Sequence, residues 1–155
     1  LSRKHYGFVR RLCELEIPEL GDGTLIMHAC VRDAGIRSKV AVSSTNDRID
    51  AIGTCIGERG HRLSSILKEL NGEKLDFVLY SDNPEEYIKK ALTPAKNAIV
   101  NITNPVKKEA LAVVSNDELP LAIGKGGSNI RLASRLTKYK IQIKTMEQIN
   151  AEGNK

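Results

Sequence analysis

The chain reads as an α+β protein in which one small module is used twice. Ile56-Gly57-Glu58-Arg59-Gly60-His61-Arg62-Leu63 spells Ile-Gly-x-x-Gly-x-x-apolar, and Ile123-Gly124-Lys125-Gly126-Gly127-Ser128-Asn129-Ile130 repeats it 67 positions later. In each copy an apolar residue, Ile52 or Leu119, stands four positions before the isoleucine. Each copy then runs into a helix-like stretch and a short alternating strand that opens at Lys74-Leu75 or Lys140-Ile141. The predicted order in each is α-β-β-α-α-β, with a three-stranded sheet and the Gly-x-x-Gly loop between two helices.

The elements follow from local signals. Ser2 is placed to cap a first helix with Phe8, Leu12 and Leu15 as its apolar positions, and Pro18 ends it. Gly21-Asp22-Gly23 is a turn. Strands are expected over 24–32 and 38–44, joined at Asp33-Ala34-Gly35. A short helix over 50–56 leads into the first glycine loop. Leu63, Ile66, Leu67 and Leu70 then form a helical stripe closed by Asn71-Gly72, and a strand over 75–80 completes the unit. Ser81-Asp82-Asn83 is the linker. Asn83 caps the next helix, with Pro84 at its first position and Glu85 and Glu86 near its positive end. The order then recurs: helix 84–92, strand 98–103, a turn at Asn104-Pro105, strand 108–115. A short helix from Asp117, the second loop, helix 127–136 and strand 140–144 follow. The expected domains are 1–80 and 84–147, with a polar, frayed tail over 148–155.

A length of 155 residues fits one ordinary domain, but the repeat argues for two of about 70 to 80 residues. Domains that small bury only about 60% of their unfolded surface, so the two are expected to pack together. The composition is 41% apolar and 28% charged. No apolar run approaches the roughly 18 residues that a membrane helix needs, so no membrane partner is expected. No signal peptide opens the chain, and the missing initial Met marks a fragment or a processed form. Cys13, Cys30 and Cys55 are odd in number and embedded in apolar stretches, which favours buried free thiols in a reducing cytoplasm.

The net charge is only +5, yet it is unevenly spread. Residues 124–146 carry six Lys or Arg and no acid, and residues 1–13 carry Arg3, Lys4, Arg10 and Arg11, again with none. Residues 73–86 are the reverse, with five acids against Lys74. Charge runs are usually solvated faces. These basic ones coincide with glycine loops, and that combination suits a polyanion.

Gly124-Lys125-Gly126-Gly127 directly precedes a helix start, where free N–H groups and the helix dipole favour an anion. Lys125 adds charge at the tip, and Ser128 and Asn129 are expected to add donors. The first loop, Gly57-Glu58-Arg59-Gly60, offers Arg59 and Arg62, but Glu58 opposes a phosphate, so the second loop is expected to bind more strongly. A nucleotide-hydrolase loop is excluded: Leu119 stands where G-x-x-x-x-G-K-[ST] needs glycine, and Gly126 follows the lysine. There is no Cys-x-x-Cys and no His pair at i, i+4, so neither metal nor cofactor is expected. No nucleophile with a partnered base stands out, so no enzymatic role is expected. Aromatic residues make up 4% of the chain with no Trp, too few for a base-stacking sheet. A glycine-loop clamp on the sugar-phosphate backbone needs none.

The residues that carry a family resemblance are longer strings. Arg10-Arg11-Leu12, Glu14-Leu15-Glu16-Ile17-Pro18-Glu19 and Arg32-Asp33-Ala34-Gly35-Ile36-Arg37-Ser38-Lys39-Val40-Ala41-Val42 lie in the first copy. Leu121-Ala122-Ile123-Gly124-Lys125-Gly126-Gly127-Ser128-Asn129-Ile130-Arg131-Leu132-Ala133 lies in the second. With them the chain resembles the tandem K-homology (KH) region of the NusA family of bacterial transcription elongation, termination and antitermination factors. The resemblance implies two prokaryotic, type II KH domains that bind single-stranded nascent RNA through both loops. It implies RNA polymerase and other elongation factors as partners of the full-length protein. It adds Arg37, Lys39 and Arg131 to the expected RNA contacts. A KH appendage of an RNA-processing enzyme or of a ribosome-associated protein stays open as the alternative.

Overall fold

The structure, a computed structural model, describes residues 6–153. Ser2, the expected cap, and the basic Arg3 and Lys4 lie outside them. The chain divides into two compact units with the boundary between Tyr80 and Ser81. The first contains α1 (Tyr6–Glu16), α2 (Pro18–Gly21), β1 (Leu25–Asp33), β2 (Arg37–Ser44), α3 (Ala51–Ile56), α4 (His61–Leu70) and β3 (Lys74–Leu79). The second contains α5 (Pro84–Ala91), β4 (Ile99–Asn104), β5 (Glu109–Val114), α6 (Leu119–Ile123), α7 (Ser128–Thr137), β6 (Lys140–Thr145) and α8 (Met146–Gly153).

Each unit holds one three-stranded mixed sheet, ordered β1-β2-β3 and β4-β5-β6. In both, the first two strands are antiparallel and the last two parallel. A parallel pair cannot be joined by a tight hairpin and needs a crossover of a dozen or more residues. The helix pairs α3–α4 and α6–α7 supply it. The glycine turn therefore sits midway along each crossover, between two helices that both pack toward the sheet.

The first unit's core joins one face of each helix to one face of the sheet: Val9 and Cys13 from α1, Cys55 from α3, Ile66 and Leu70 from α4, against Val40, Val42, Leu75 and Phe77. Here the α1 stripe differs from the expected one. Val9, Cys13 and Ile17 are fully buried, whereas Leu15 is 68% exposed and Phe8 and Leu12 pack at the margin. Counting Val and Cys as apolar sets the register one position later; α1 stops at Glu16 ahead of Pro18, as expected, and Pro18 also starts a short second helix. The α4 stripe and its left-handed Asn71 cap are present. Asn83 caps α5 by accepting the Glu85 and Glu86 amides at 3.0 and 3.4 Å. From Met146 the chain continues as helix α8 to Gly153, which takes in most of the stretch from 148 where a frayed tail was expected.

Two of the five acids in residues 73–86, Glu73 and Asp76, are drawn into the first unit, whereas Asp82, Glu85 and Glu86 are exposed. Glu73 accepts from Arg32 Nη2 at 2.5 Å and from the Gly35 amide at 2.8 Å, tying the β1–β2 turn to the start of β3. Asp76 on β3 accepts from Arg37 Nη1 at 2.5 Å and Lys39 Nζ at 2.8 Å, both on the neighbouring β2. Burial pulls the Lys39 ammonium down to about 8, although Asp76 opposes that shift. An uncompensated charge in such a place would cost several kcal/mol, so these acids are required partners and not a solvated face.

Cys13 and Cys55 are buried and Cys30 is half-buried, all as free thiols. Burial raises all three, Cys30 to about 11 and Cys55 to about 12, so each is protonated near neutrality. Since only the thiolate is nucleophilic, a maleimide at pH 8 should label native Cys30 slowly and leave Cys13 and Cys55 untouched until the protein is unfolded. Mass spectrometry of the labelled chain checks this; equal labelling of Cys13 and Cys30 would contradict the packing of α1 on the sheet.

Candidate nucleic-acid interface

The two glycine turns have nearly the same backbone. Gly57 has φ 81 and ψ 170, and Gly124 has φ 77 and ψ 173. The tip residues follow at φ 56, ψ 26 (Arg59) and φ 62, ψ 21 (Gly126). Gly60 and Gly127 close the turns at φ 72, ψ 17 and φ 77, ψ 13. In each, the first glycine's N–H ends the preceding helix at 2.9 Å, on Gly53 O or Pro120 O. Its carbonyl accepts from the last glycine's N–H at 3.0 or 3.1 Å.

The first glycine is held to that residue type twice over. Its dihedrals lie where a Cβ is strongly disfavoured. A Cβ at Gly57 would also stand 2.7 Å from Arg62 Cγ and 3.0 Å from Arg62 N, and at Gly124 2.6 Å from Asn129 Cβ and 2.8 Å from Asn129 N. The turn thus brings the backbone directly against the next helix. The tip has open space around it at Gly126, Gly127 and Gly60. Glu58, Arg59, Lys125 and Gly126 are exposed there, at the positive ends of α4 and α7.

The residue after the turn is a strut, not a free contact. Arg62 Nη1 donates to Glu19 Oε1 at 2.8 Å and to Thr54 O at 3.0 Å, tying α4 to α2 and α3. Asn129, at the matching place, is fully buried and its Nδ2 donates to Ala122 O at 2.9 Å and Leu92 O at 3.1 Å. One copy does with an ion pair what the other does with an amide. The hydrogen bond from Arg62 holds Glu19 below the ordinary carboxylate value of 4.5. That contribution is complete above the ordinary value and is lost as pH falls through the lowered one.

With Arg62, five of the expected contact residues are engaged in the fold. Asn129 and Ser128 are buried, at 0% and 1% exposure, and cannot offer side-chain donors to a ligand at the surface. Lys39 is fully buried, and it shares Asp76 with Arg37, whose side chain is 12% exposed. Arg131 is exposed and turns back toward the loop, with Nη1 3.4 Å from Gly126 O. The turns gather Gly57, Glu58, Arg59 and Gly60 in one place and Gly124, Lys125, Gly126 and Gly127 in another. Sequence reasoning missed Glu19, and its only signal was an acid beside Pro18 at a helix start.

Each short helix has two unlike faces. Ile52 and Ile56 are half-buried on α3, and Leu119 is half-buried on α6 with Ile123 37% exposed beside the second turn. On the other side of α3 a cleft of 990 Å³ is lined by Gly53, Thr54, Gly57, Arg59 and Arg62, and also by the carboxylates of Glu19, Asp50 and Glu58. The second turn has no acid among its own residues.

Comparison with known proteins matches each of the two units. The family described as NusA-like first KH domain matches residues 3–80, and NusA-like second KH domain matches residues 84–151. A Borreliella burgdorferi protein named "Transcription termination/antitermination protein NusA" is 50% identical over 148 residues, which is 96% of this chain and 31% of the relative. Proteins of the same name from Bacillus subtilis and Thermus thermophilus are 43% and 42% identical over 94% and 95% of this chain, and 39% and 38% of their own lengths. The chain thus spans a third or so of these relatives. The solved "Crystal structure of APE1850" aligns with a TM-score of 0.59 at 25% identity, covering 87% of this chain and 96% of that one.

Gly57→Ala and Gly124→Ala should each lose about 2–4 kcal/mol of stability in urea unfolding, since strain and overlap add. Gly126→Ala should lose only about 1 kcal/mol, the left-handed penalty alone. Arg59→Gly should gain up to about 1 kcal/mol by removing the same penalty. Equal losses at Gly124 and Gly126 would contradict the close approach to Asn129.

Proposed function

As the chain belongs to the family of NusA-like tandem KH domains, we propose that it is a single-stranded RNA-binding module whose two glycine turns each grip the sugar-phosphate backbone. The observation that carries this is the near-identity of the two turns in φ and ψ, despite different side chains at every tip position. What the fold holds constant is a bare backbone at a helix start, which suits a phosphate. The apolar face of α3 and α6 beside each turn suits bases without aromatic stacking. A clamp of this kind spans about four nucleotides.

The names of the relatives support a place for this module in a longer transcription termination and antitermination factor acting on nascent RNA. RNA polymerase and other elongation factors would then be engaged by the whole protein. No catalytic role is part of this reading. Among the described residues no helix is long and apolar enough to cross a membrane.

The second turn supplies the stronger grip, through Lys125 and an acid-free tip; the first carries Glu58 against Arg59. Replacing Lys125 and Gly126 together with Asp puts two negative charges where a phosphate would sit, at a tip with open space and at a position where the first copy already carries Arg59. RNA affinity should fall at least about tenfold, or about 1.4 kcal/mol, with stability changed by about 1 kcal/mol. If about five phosphates are neutralised, log K should fall against log salt with a slope near −3.5. Fluorescence anisotropy with unstructured RNA measures both. Unchanged affinity in a folded K125D/G126D protein, or equal binding of duplex RNA, would contradict the clamp.

A further inference from the structure

The second unit carries a basic row with no counterpart in the first. Arg131 and Arg135 are exposed at i and i+4 on one face of α7, and Lys138 is exposed at its left-handed C-cap. The row starts beside Lys125 at the glycine turn. At its far end the Lys140 amide donates to Lys108 O at 2.8 Å, bringing the exposed Lys107 and Lys108 of the β4–β5 turn next to the start of β6. Residues 124–146 contain no acid. Glu85 and Glu86 on α5, the helix packed against α7, make no ion pair with the row among the described residues. Lys144 is set apart, since Glu152 of α8 pairs with it at 2.6 Å.

The first unit serves as an internal control. At the places of Arg131, Arg135 and Lys138 it has Ser64, Lys68 and Asn71. Asn71 and Lys138 fill the same left-handed helix-end position, at φ 50 and φ 63. Asparagine tolerates that conformation better than lysine. Lys108 is likewise left-handed, at φ 54. Two neighbouring lysines thus occupy strained backbone positions, one of which the sister unit fills with the easier residue. The sister unit shows that the helix-end position does not require lysine, and left-handed positions held by such residues point to a functional surface.

We propose that this row along α7 and the β4–β5 turn is a second contact surface for the same single-stranded RNA, extending the grip beyond the nucleotides held at the Gly124–Gly127 turn. It rests on the RNA-binding reading above. The row begins at the phosphate-gripping turn and its exposed side chains are cationic, with Glu109 half-buried between Lys108 and Lys140, so an RNA strand leaving that turn meets further positive charge.

The test uses the full chain with substitutions Lys108→Asn, Arg135→Gln and Lys138→Asn combined, two of which adopt residues at ease in left-handed backbone. Unstructured RNAs of about 4 nucleotides, one clamp, and about 16 nucleotides are compared. The short RNA should bind the variant as it binds the parent. The long RNA should bind the variant at least about tenfold more weakly, with a salt slope shallower by about 2, three phosphates at about 0.7 each. Equal loss for long and short RNA, or no loss for either, would overturn the proposal. So would a polyglutamate peptide that binds the parent but not the variant while long RNA binds both alike. If the parent binds neither RNA, the reading of the glycine turns fails first. If it binds both with no difference between parent and variant, only this extension fails.

Discussion

Two glycines, Gly57 and Gly124, set the geometry on which each unit is built. Each lies near φ +80 with extended ψ and touches the backbone of the next helix, at 3.0 and 2.8 Å from where its Cβ would be. That contact turns the chain sharply enough for two helices to lie within one crossover and return it parallel to the central strand. Without it, α3 and α4, or α6 and α7, could not both present an apolar face to the sheet while leaving the turn bare. Fold and ligand surface thus share one backbone feature, and a change there disturbs both.

The two copies separate what the turn requires from what each unit adds. The dihedrals agree within a few degrees. The strut after the turn is an ion pair between Arg62 and Glu19 in one unit and a buried Asn129 amide in the other. The tip is Glu58-Arg59 in one and Lys125-Gly126 in the other. Charge therefore varies where the backbone does not. Lys125 and the acid-free tip of the second turn favour a polyanion; the first turn is mixed, with Glu58 at its tip and three carboxylates in all lining its cleft.

Much of this was legible in the residues. The repeat, the order of elements, the α4 stripe and the Asn83 cap rest on local signals: glycine dihedrals, 3.6-residue periodicity and side-chain capping. What escaped was set by tertiary partners. Arg37 and Lys39 looked like surface cations, but Asp76 lies across the parallel β2–β3 pair, 37 residues beyond Lys39. Asn129 looked like an exposed donor on a helix's first turn, yet the close approach at Gly124 buries it. Leu15 outranked Val9 and Cys13 by hydrophobicity, while the sheet selected the smaller pair. Helix α8 has weak amphipathic character, and Lys144–Glu152 and the Thr145–Gln148 hydrogen bonds hold it in ways that composition does not display.

The central claim is that both turns offer backbone amides to RNA phosphates. Amide chemical shifts followed by heteronuclear NMR during titration with a short unstructured RNA test it most directly. The account predicts the largest shifts at residues 58–61 and 125–128, saturating at lower RNA concentration in the second set, with the buried β2 amides little changed. Shifts confined to the outer face of either sheet, with both glycine turns silent, would contradict it.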